Sequence, residues 1–314
     1  MENVQRQAAA VISEISRAVV GKEDLLRQVF AVVLAGGHVL FEDNPGLAKT
    51  LIARSFARVF GLDFRRIQFT PDLLPTDITG SHIYDAEQRD FTLAPGPIFA
   101  NIVLADEVNR ATPKTQSALL EAMQELQVSI AGETRALPEP FVVLATQNPI
   151  EYEGTFPLPE AQVDRFMVRL TVGYPSRDDE VEILRRRIAR RHDDLLLSAV
   201  TDAAQLLALR EAVESVSVDE ELQAYVVDLV ARTRTHPNVY VGASPRGSLA
   251  LLKLSRAWAA IDGRDYVVPD DVKRFAIPAL AHRMILRPEF WSRQVSTQSV
   301  VQAILDTTSV PKVS

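Results

Sequence analysis

Eight residues, Asp43-Asn44-Pro45-Gly46-Leu47-Ala48-Lys49-Thr50, constrain this chain more than any other stretch. They follow the apolar run His38-Val39-Leu40-Phe41 and open a helical pattern of Leu51, Ile52, Ser55, Phe56 and Val59. The order is strand, tight loop, helix, with a Lys-Thr pair on the first turn of the helix. Such a loop is a phosphate cradle. Successive backbone N–H groups and the positive end of the helix face an anion, Lys49 reaches the outer phosphates, and the Thr50 hydroxyl coordinates magnesium. The general pattern has Gly at both ends, where this chain has Asp43 and Ala48. Ala48 is expected to matter little, because a residue entering a right-handed helix needs no positive φ. Asp43 matters more: a carboxylate near phosphates repels them, although Asp tolerates the left-handed region better than most residues. Taken alone, the loop is also compatible with an ordinary strand-to-helix turn.

A second motif narrows the choice. Ile102-Val103-Leu104-Ala105-Asp106-Glu107 reads as a buried strand ending in two adjacent carboxylates. In that arrangement the first acid holds Mg2+, directly or through water, and the second polarises an attacking water. Composition bounds the rest. The 314 residues have room for one large domain or two ordinary ones, and 47% hydrophobic with 24% charged residues describes a globular chain. The longest mostly apolar run, Val29 to Phe41, is broken by Gly36, Gly37 and His38 and is too short to span a bilayer. No charged-then-apolar leader opens the chain, and there is no cysteine, so a cytoplasmic location is expected. A net charge of −7 argues against a surface built to neutralise nucleic acid.

Along the chain, Val11, Ile12, Ile15, Ala18 and Val19 and then Leu25, Leu26, Val29, Phe30 and Val33 mark two helices. Between them, Val20 and Gly21 form either an adenine contact or a plain interhelical turn. Phe64 to Phe69 is a strand candidate. Thr70 to Gly80 is a loop rich in Pro, Asp and Thr, and Ser81 to Phe99 is a hairpin turning near Asp85 to Arg89. An insertion of about thirty residues exceeds ordinary loops and points to a function. Thr112 and Pro113 start a further helix, Gln127 to Leu137 is a second hairpin, and Phe141 to Ala145 is a buried strand leading into Thr146-Gln147-Asn148-Pro149. Asn148 either orients the attacking water or belongs to an Asn-Pro turn. Arg165, before the strand Phe166 to Val172, is a solvated or Asp164-paired cation or a charge shown to a neighbouring subunit. From Tyr174 onward only helices are expected, with capping boxes at Ser176 to Asp179 and Ser217 to Glu220. Arg246, on the first turn of a helix begun by Ser244-Pro245, stands where the helix dipole disfavours a cation, so an anion is expected nearby and Arg246 reads as a phosphate sensor.

The order of phosphate loop, inserted hairpin, Asp-Glu-Val-Asn-Arg-Ala, second hairpin, Thr-Gln-Asn-Pro, Leu-Pro-Glu-Ala-Gln-Val-Asp-Arg-Phe and Ser-Pro-Arg resembles the MoxR family of AAA+ ATPases, from about residue 10 to 290. The resemblance implies an α/β fold, a P-loop αβα core over residues 1–175 with hairpins near 71–99 and 127–137, and an all-α lid over 176–314. It implies ATP and Mg2+ as cofactors, bound by the stretch from Asp43 to Leu51, and a homo-oligomeric ring, typically a hexamer, with the hairpins facing its pore. Such rings remodel or mature protein complexes, including metal cofactor insertion, often beside a partner with a von Willebrand factor A domain. By motif, Lys49 and Thr50 are phosphate and magnesium residues, Asp106 the metal holder, Glu107 the catalytic base, Asn148 the first sensor, Arg165 the arginine finger, with Arg110 as its rival, and Arg246 the second sensor. Three other activities fit the same motifs less well: a DNA-acting ring motor, a nucleotide-gated binding switch and a small-molecule kinase.

Overall fold

The structure is a computed structural model describing residues 1–87, 89–149, 154–193, 195–290 and 295–311. It opens with two helices, α1 (Glu2–Ser16) and α2 (Glu23–Leu34), before the first core strand β1 (Val39–Glu42) and helix α3 (Lys49–Val59). Strand β2 (Phe64–Gln68) leads into a short helix α4 (Pro75–Thr79) and the hairpin β3 (Gly80–Asp85) and β4 (Asp90–Pro95). Then come β5 (Ile102–Asp106), α5 (Pro113–Glu125), the hairpin β6 (Gln127–Ile130) and β7 (Glu133–Ala136), β8 (Val142–Gln147), α6 (Glu160–Val163) and β9 (Val168–Leu170). The C-terminal part holds α7 (Arg177–Arg190), α8 (Ala203–Glu214), α9 (Glu220–Thr235), β10 (Val239–Val241), α10 (Pro245–Ile261), α11 (Pro269–Leu280), β11 (Ile285–Leu286) and α12 (Thr297–Thr307).

Five strands form one parallel sheet in the order β2-β5-β8-β1-β9. Side-chain alternation gives it two covered faces. Val39, Phe41, Ile102, Leu104, Val142, Leu144, Val168 and Leu170 point into one apolar cluster. Their strand neighbours Leu40, Val103, Ala105, Val143 and Ala145 point into another, with α5 and the bases of both hairpins. The parallel order needs crossovers, and these place the ends of β1, β5 and β8 side by side along one edge.

Both hairpins lie where the sequence puts them, with Tyr84 opposite Phe91 in the first and Ser129 opposite Thr134 in the second. Three expectations change. Thr70 to Gly80 is not wholly loop, since Pro75 and Asp77 start α4, the Asp77 carboxylate accepting from the Leu74 N–H at 2.8 Å. The lid is not all helix: β10 and β11 pair antiparallel. The Ser176 capping box forms, but α9 is capped by Asp219, which accepts from the Glu221 N–H, while Ser217 donates to the carbonyl of Asp265. The large apolar cluster is continuous from α1, α2 and α3 through the sheet into α8 to α12. The lid therefore shares its core with the helices that open the chain.

Candidate nucleotide site

The crossover edge of the sheet holds a cleft of about 290 Å³ lined by Pro45, Gly46, Leu47, Ala48, Lys49, Thr50, Arg66, Asp106, Glu107, Thr146 and Asn148. Three motifs far apart in sequence meet there because β8 lies between β1 and β5.

Ala48 is in the left-handed region, with φ 60° and ψ 16°, which corrects the expectation that it needs no positive φ. The turn onto α3 places the burden on this residue, and a Cβ there costs about 1–2 kcal/mol. Ala48 offers no side-chain cap to α3, so the first N–H groups of that helix are open to an anion. Lys49 is buried and its ammonium donates to the carbonyls of Asp43 (2.6 Å) and Asn44 (3.0 Å). Burial lowers its pKa, opposed by the charges of Asp43, Asp106 and Glu107.

Asp43 is also placed differently from expectation. Its carboxylate does not line the cleft. One oxygen accepts from the Asn44 N–H (2.8 Å) and the other from the Gly173 N–H (2.6 Å), in the segment joining core to lid. The same segment meets the candidate adenine loop: the Lys22 ammonium donates to the Tyr174 carbonyl (2.9 Å), and Asn44 donates to the Tyr174 hydroxyl (3.3 Å). Gly21 has φ 69°, and a side chain there would collide with the Asp179 carboxyl group. Val20 and Gly21 thus lie beside the start of the lid, next to the phosphate loop.

The acid pair is held by a polar network. Asp106 accepts from the Thr146 hydroxyl (2.6 Å) on one oxygen and from Arg66 on the other, Nε at 3.0 Å and Nη2 at 2.6 Å. Glu107 has φ 57°, a left-handed conformation at the strand end, and its N–H donates to the Thr146 hydroxyl at 2.8 Å. That turn swings the carboxylate toward Gln68, whose amide donates to it at 2.7 Å, and toward Arg110, 3.2 Å away. Arg110 is therefore engaged by the acid of its own chain. Asn148 is buried at the end of β8, its carbonyl accepting from Asn109. Arg66, Gln68 and Thr146 bond the acid pair, and the sequence reading gave none of them a place in the site. The signal was the strand Phe64 to Phe69, whose polar alternates Arg66 and Gln68 come beside β5 only through the strand order.

Arg165 and Arg246 do not line the cleft. Arg165 donates to the Leu120 carbonyl of α5 (2.8 Å), and its Nε is buried without a partner. Arg246 is half-exposed, 3.7 Å from Asp164. The anion that the helix dipole calls for is thus a carboxylate of the chain itself. Asp164 is held chiefly by Arg283, at 2.7 Å.

For a metal, Thr50 and Asp106 both line the cleft with oxygen donors, and Asp106 already neutralises a cationic side chain, so the donor set suits a hard cation. Among the described residues no cluster of three or more His, Cys, Asp or Glu could hold a metal. A cation here would need phosphate oxygens as well.

This sheet order, with acids and an amide set around a phosphate loop, defines an ATPase of the AAA class. The sequence pattern of the ATPase family associated with various cellular activities (AAA) matches residues 38–168, and that of the AAA lid domain matches residues 231–304. The protein YeaC of Bacillus subtilis is 47% identical over 99% of this chain and 97% of that one. Chaperone MoxR1 of Mycobacterium tuberculosis is 44% identical over 96% of this chain and 82% of that one. A crystal structure of a Cytophaga hutchinsonii protein superposes with TM-score 0.92 at 40% identity, covering 99% of this chain and 96% of that one. The chain belongs to the MoxR family of AAA+ ATPases. No helix among the described residues is long and apolar enough to cross a membrane.

Proposed function

We propose that the chain is one subunit of a ring, a hexamer by the family resemblance, in which each ATP lies between neighbours and its hydrolysis drives the remodelling or maturation of a partner protein complex. The observation that carries this reading is the division of the site. Lys49, Thr50, Asp106, Glu107 and Asn148 line one cleft, whereas Arg165 and Arg246 stand apart from it. Hydrolysis needs positive charge on the transferring phosphoryl group beyond that of Lys49, and the arginines beside the acid pair are engaged. Arg66 holds Asp106 and Arg110 holds Glu107. A finger from the next subunit, Arg165, would supply it, an effect of about 10^3 to 10^5 in rate. Arg246 would sense nucleotide from the lid.

Within the cleft, Glu107 takes the role of base toward the attacking water and Asn148 orients that water. Mg2+, held by Thr50 and Asp106, would neutralise phosphate charge. Client contact is assigned to the hairpins, since Ile83, Tyr84 and Phe91 are large, apolar and exposed on the first. The von Willebrand factor A partner, metal cofactor insertion and a cytoplasmic location rest on the family resemblance and on a chain without cysteine.

The test is ATP turnover per subunit across a wide range of protein concentration, with Arg165→Ala alongside. Rising specific activity that the variant lacks supports a site completed in trans. Constant activity per subunit, or ATP binding without turnover at every concentration, removes the shared site. The second outcome favours a nucleotide-gated switch, a reading consistent with Gln68 and Arg110 both restraining Glu107.

A further inference from the structure

We propose that Arg66 and a divalent cation compete for the Asp106 carboxylate, so that the cation must displace Arg66 to bind there. The inference rests on the reading of Asp106 as metal holder. Both oxygens of Asp106 are engaged: Thr146 donates to Oδ1 at 2.6 Å, and Arg66 covers Oδ2, the oxygen with two donors, at 3.0 and 2.6 Å. A magnesium ion on Oδ2, or the water that would join it there, needs the place that the two Arg66 donors take. The guanidinium fork fills this space, and a second cation against it would be repelled. Binding of metal and pairing with Arg66 are therefore mutually exclusive at Oδ2.

Arg66 is also free to leave. Its side chain is 49% exposed at the cleft mouth, in contrast to Arg283, which is 4% exposed and bound to several carbonyls. The remaining contact of Arg66 is the Gln68 carbonyl oxygen at 2.6 Å, and the amide nitrogen of Gln68 donates to Glu107 at 2.7 Å. One guanidinium thus fixes the metal-holding acid directly and the catalytic base through an amide. When a cation takes Asp106, Arg66 withdraws the bond that orients Gln68, and the hold of Gln68 on Glu107 loosens, leaving Arg110 as the partner of that carboxylate. Metal loading and loosening of the base are coupled. Arg66 is a positioning residue, since it acts through Asp106 and Gln68.

The experiment titrates Mn2+, followed by electron paramagnetic resonance of the free ion, into the full chain with ADP present. Wild type is compared with Arg66→Gln, Arg66→Lys, Arg65→Gln and Asp106→Asn. A competitor occupying its acceptor in about nine molecules of ten weakens apparent metal affinity about tenfold. Arg66→Gln should therefore bind Mn2+ about tenfold more tightly, and Arg66→Lys, with charge but no fork, by a smaller factor. Arg65→Gln removes the same charge from the opposite face of β2 and should leave affinity within about twofold. Equal gains in the Arg65 and Arg66 variants would reduce the effect to net charge and overturn the proposal, as would no gain in Arg66→Gln. If Asp106→Asn binds Mn2+ as wild type does, the metal reading itself fails, and the inference goes with it.

Discussion

Glu107 shows how one residue can be strained for use. A left-handed backbone at a non-glycine residue costs about 1–2 kcal/mol, and here it aims the carboxylate off the strand end into the cleft. Glu107→Gln keeps the backbone and the Thr146 bond, so ATP binding and assembly should survive while turnover falls by about 10^2 to 10^4. Retained turnover would remove Glu107 from its role. His38 is the opposite case, a polar residue used only for structure. Its Nδ1 accepts from the Val143 N–H at 3.0 Å, so Nε2 carries the proton, 3.1 Å from the Met123 carbonyl. Burial is the main cause that lowers its pKa from 6.5 to about 4. Between those values the unfolded chain takes up a proton that the folded chain refuses. Stability is then complete above pH 6.5 and declines by about 3 kcal/mol as pH falls to 4. Buried His282 is shifted in the same direction. Urea midpoints measured from pH 7 to 4 should decline accordingly, and His38→Gln should flatten part of that slope; parallel slopes would show that His38 does not carry it.

At the scale of elements, the phosphate loop and the lid linker act as one piece through Asp43. Asp43→Ala leaves the N–H groups of Asn44 and Gly173 without their acceptor, at about 1–3 kcal/mol for each buried group. Asp43→Asn retains one acceptor oxygen and should lose less. Thermal unfolding beside ATP affinity decides between this role and the phosphate repulsion read from the sequence. Repulsion alone predicts tighter ATP binding in Asp43→Asn with unchanged stability. The same elements show what was legible. Strand periodicity, the Lys49-Thr50 pair, the Asp106-Glu107 pair and both hairpins rest on local pattern, and local pattern sufficed. The positive φ of Ala48 is signalled by the glycine that the general loop pattern has at its place, and the alanine in this chain hides it. Arg66 and Gln68 became site residues only once β2 lay beside β5, and strand order is a property of crossovers. The β10–β11 pair escaped because three residues and two residues are too short to show alternation. Arg246 gave an electrostatic signal, and a carboxylate, Asp164, lies 3.7 Å from it.

Across the whole molecule, the lid is joined to the core by apolar contact and by ion pairs, among them Arg27 with Asp262, Arg274 with Asp24 and the least exposed arginine of the set, Arg283, with Asp164. Helices α1 and α2 share a cluster with α8 to α12, so separating the lid would expose the face of the sheet as well. Arg283 then ties lid to core: it pairs with Asp164 and donates to the carbonyls of Phe166 and Met167 just before β9. Burial lowers its pKa, opposed by the Asp164 charge. Removing one partner of such a pair strands the other charge and costs about 3–5 kcal/mol. Arg283→Ala should therefore lower stability by about that amount, and it also frees Asp164, leaving Arg246 as that carboxylate's cation. The wild type should unfold in one transition, with tryptophan emission, placed by Trp258 and Trp291 in the C-terminal half, coinciding with loss of helical circular dichroism. If emission changes first and leaves most helix intact, the lid folds on its own and the shared core does not couple it. If the two coincide in wild type and separate in Arg283→Ala, the ion pair rather than apolar burial sets the coupling. Coincidence in both, with the variant shifted to lower temperature, assigns the coupling to the apolar cluster and leaves Arg283 as the residue that holds Asp164 beside Arg165 and Arg246.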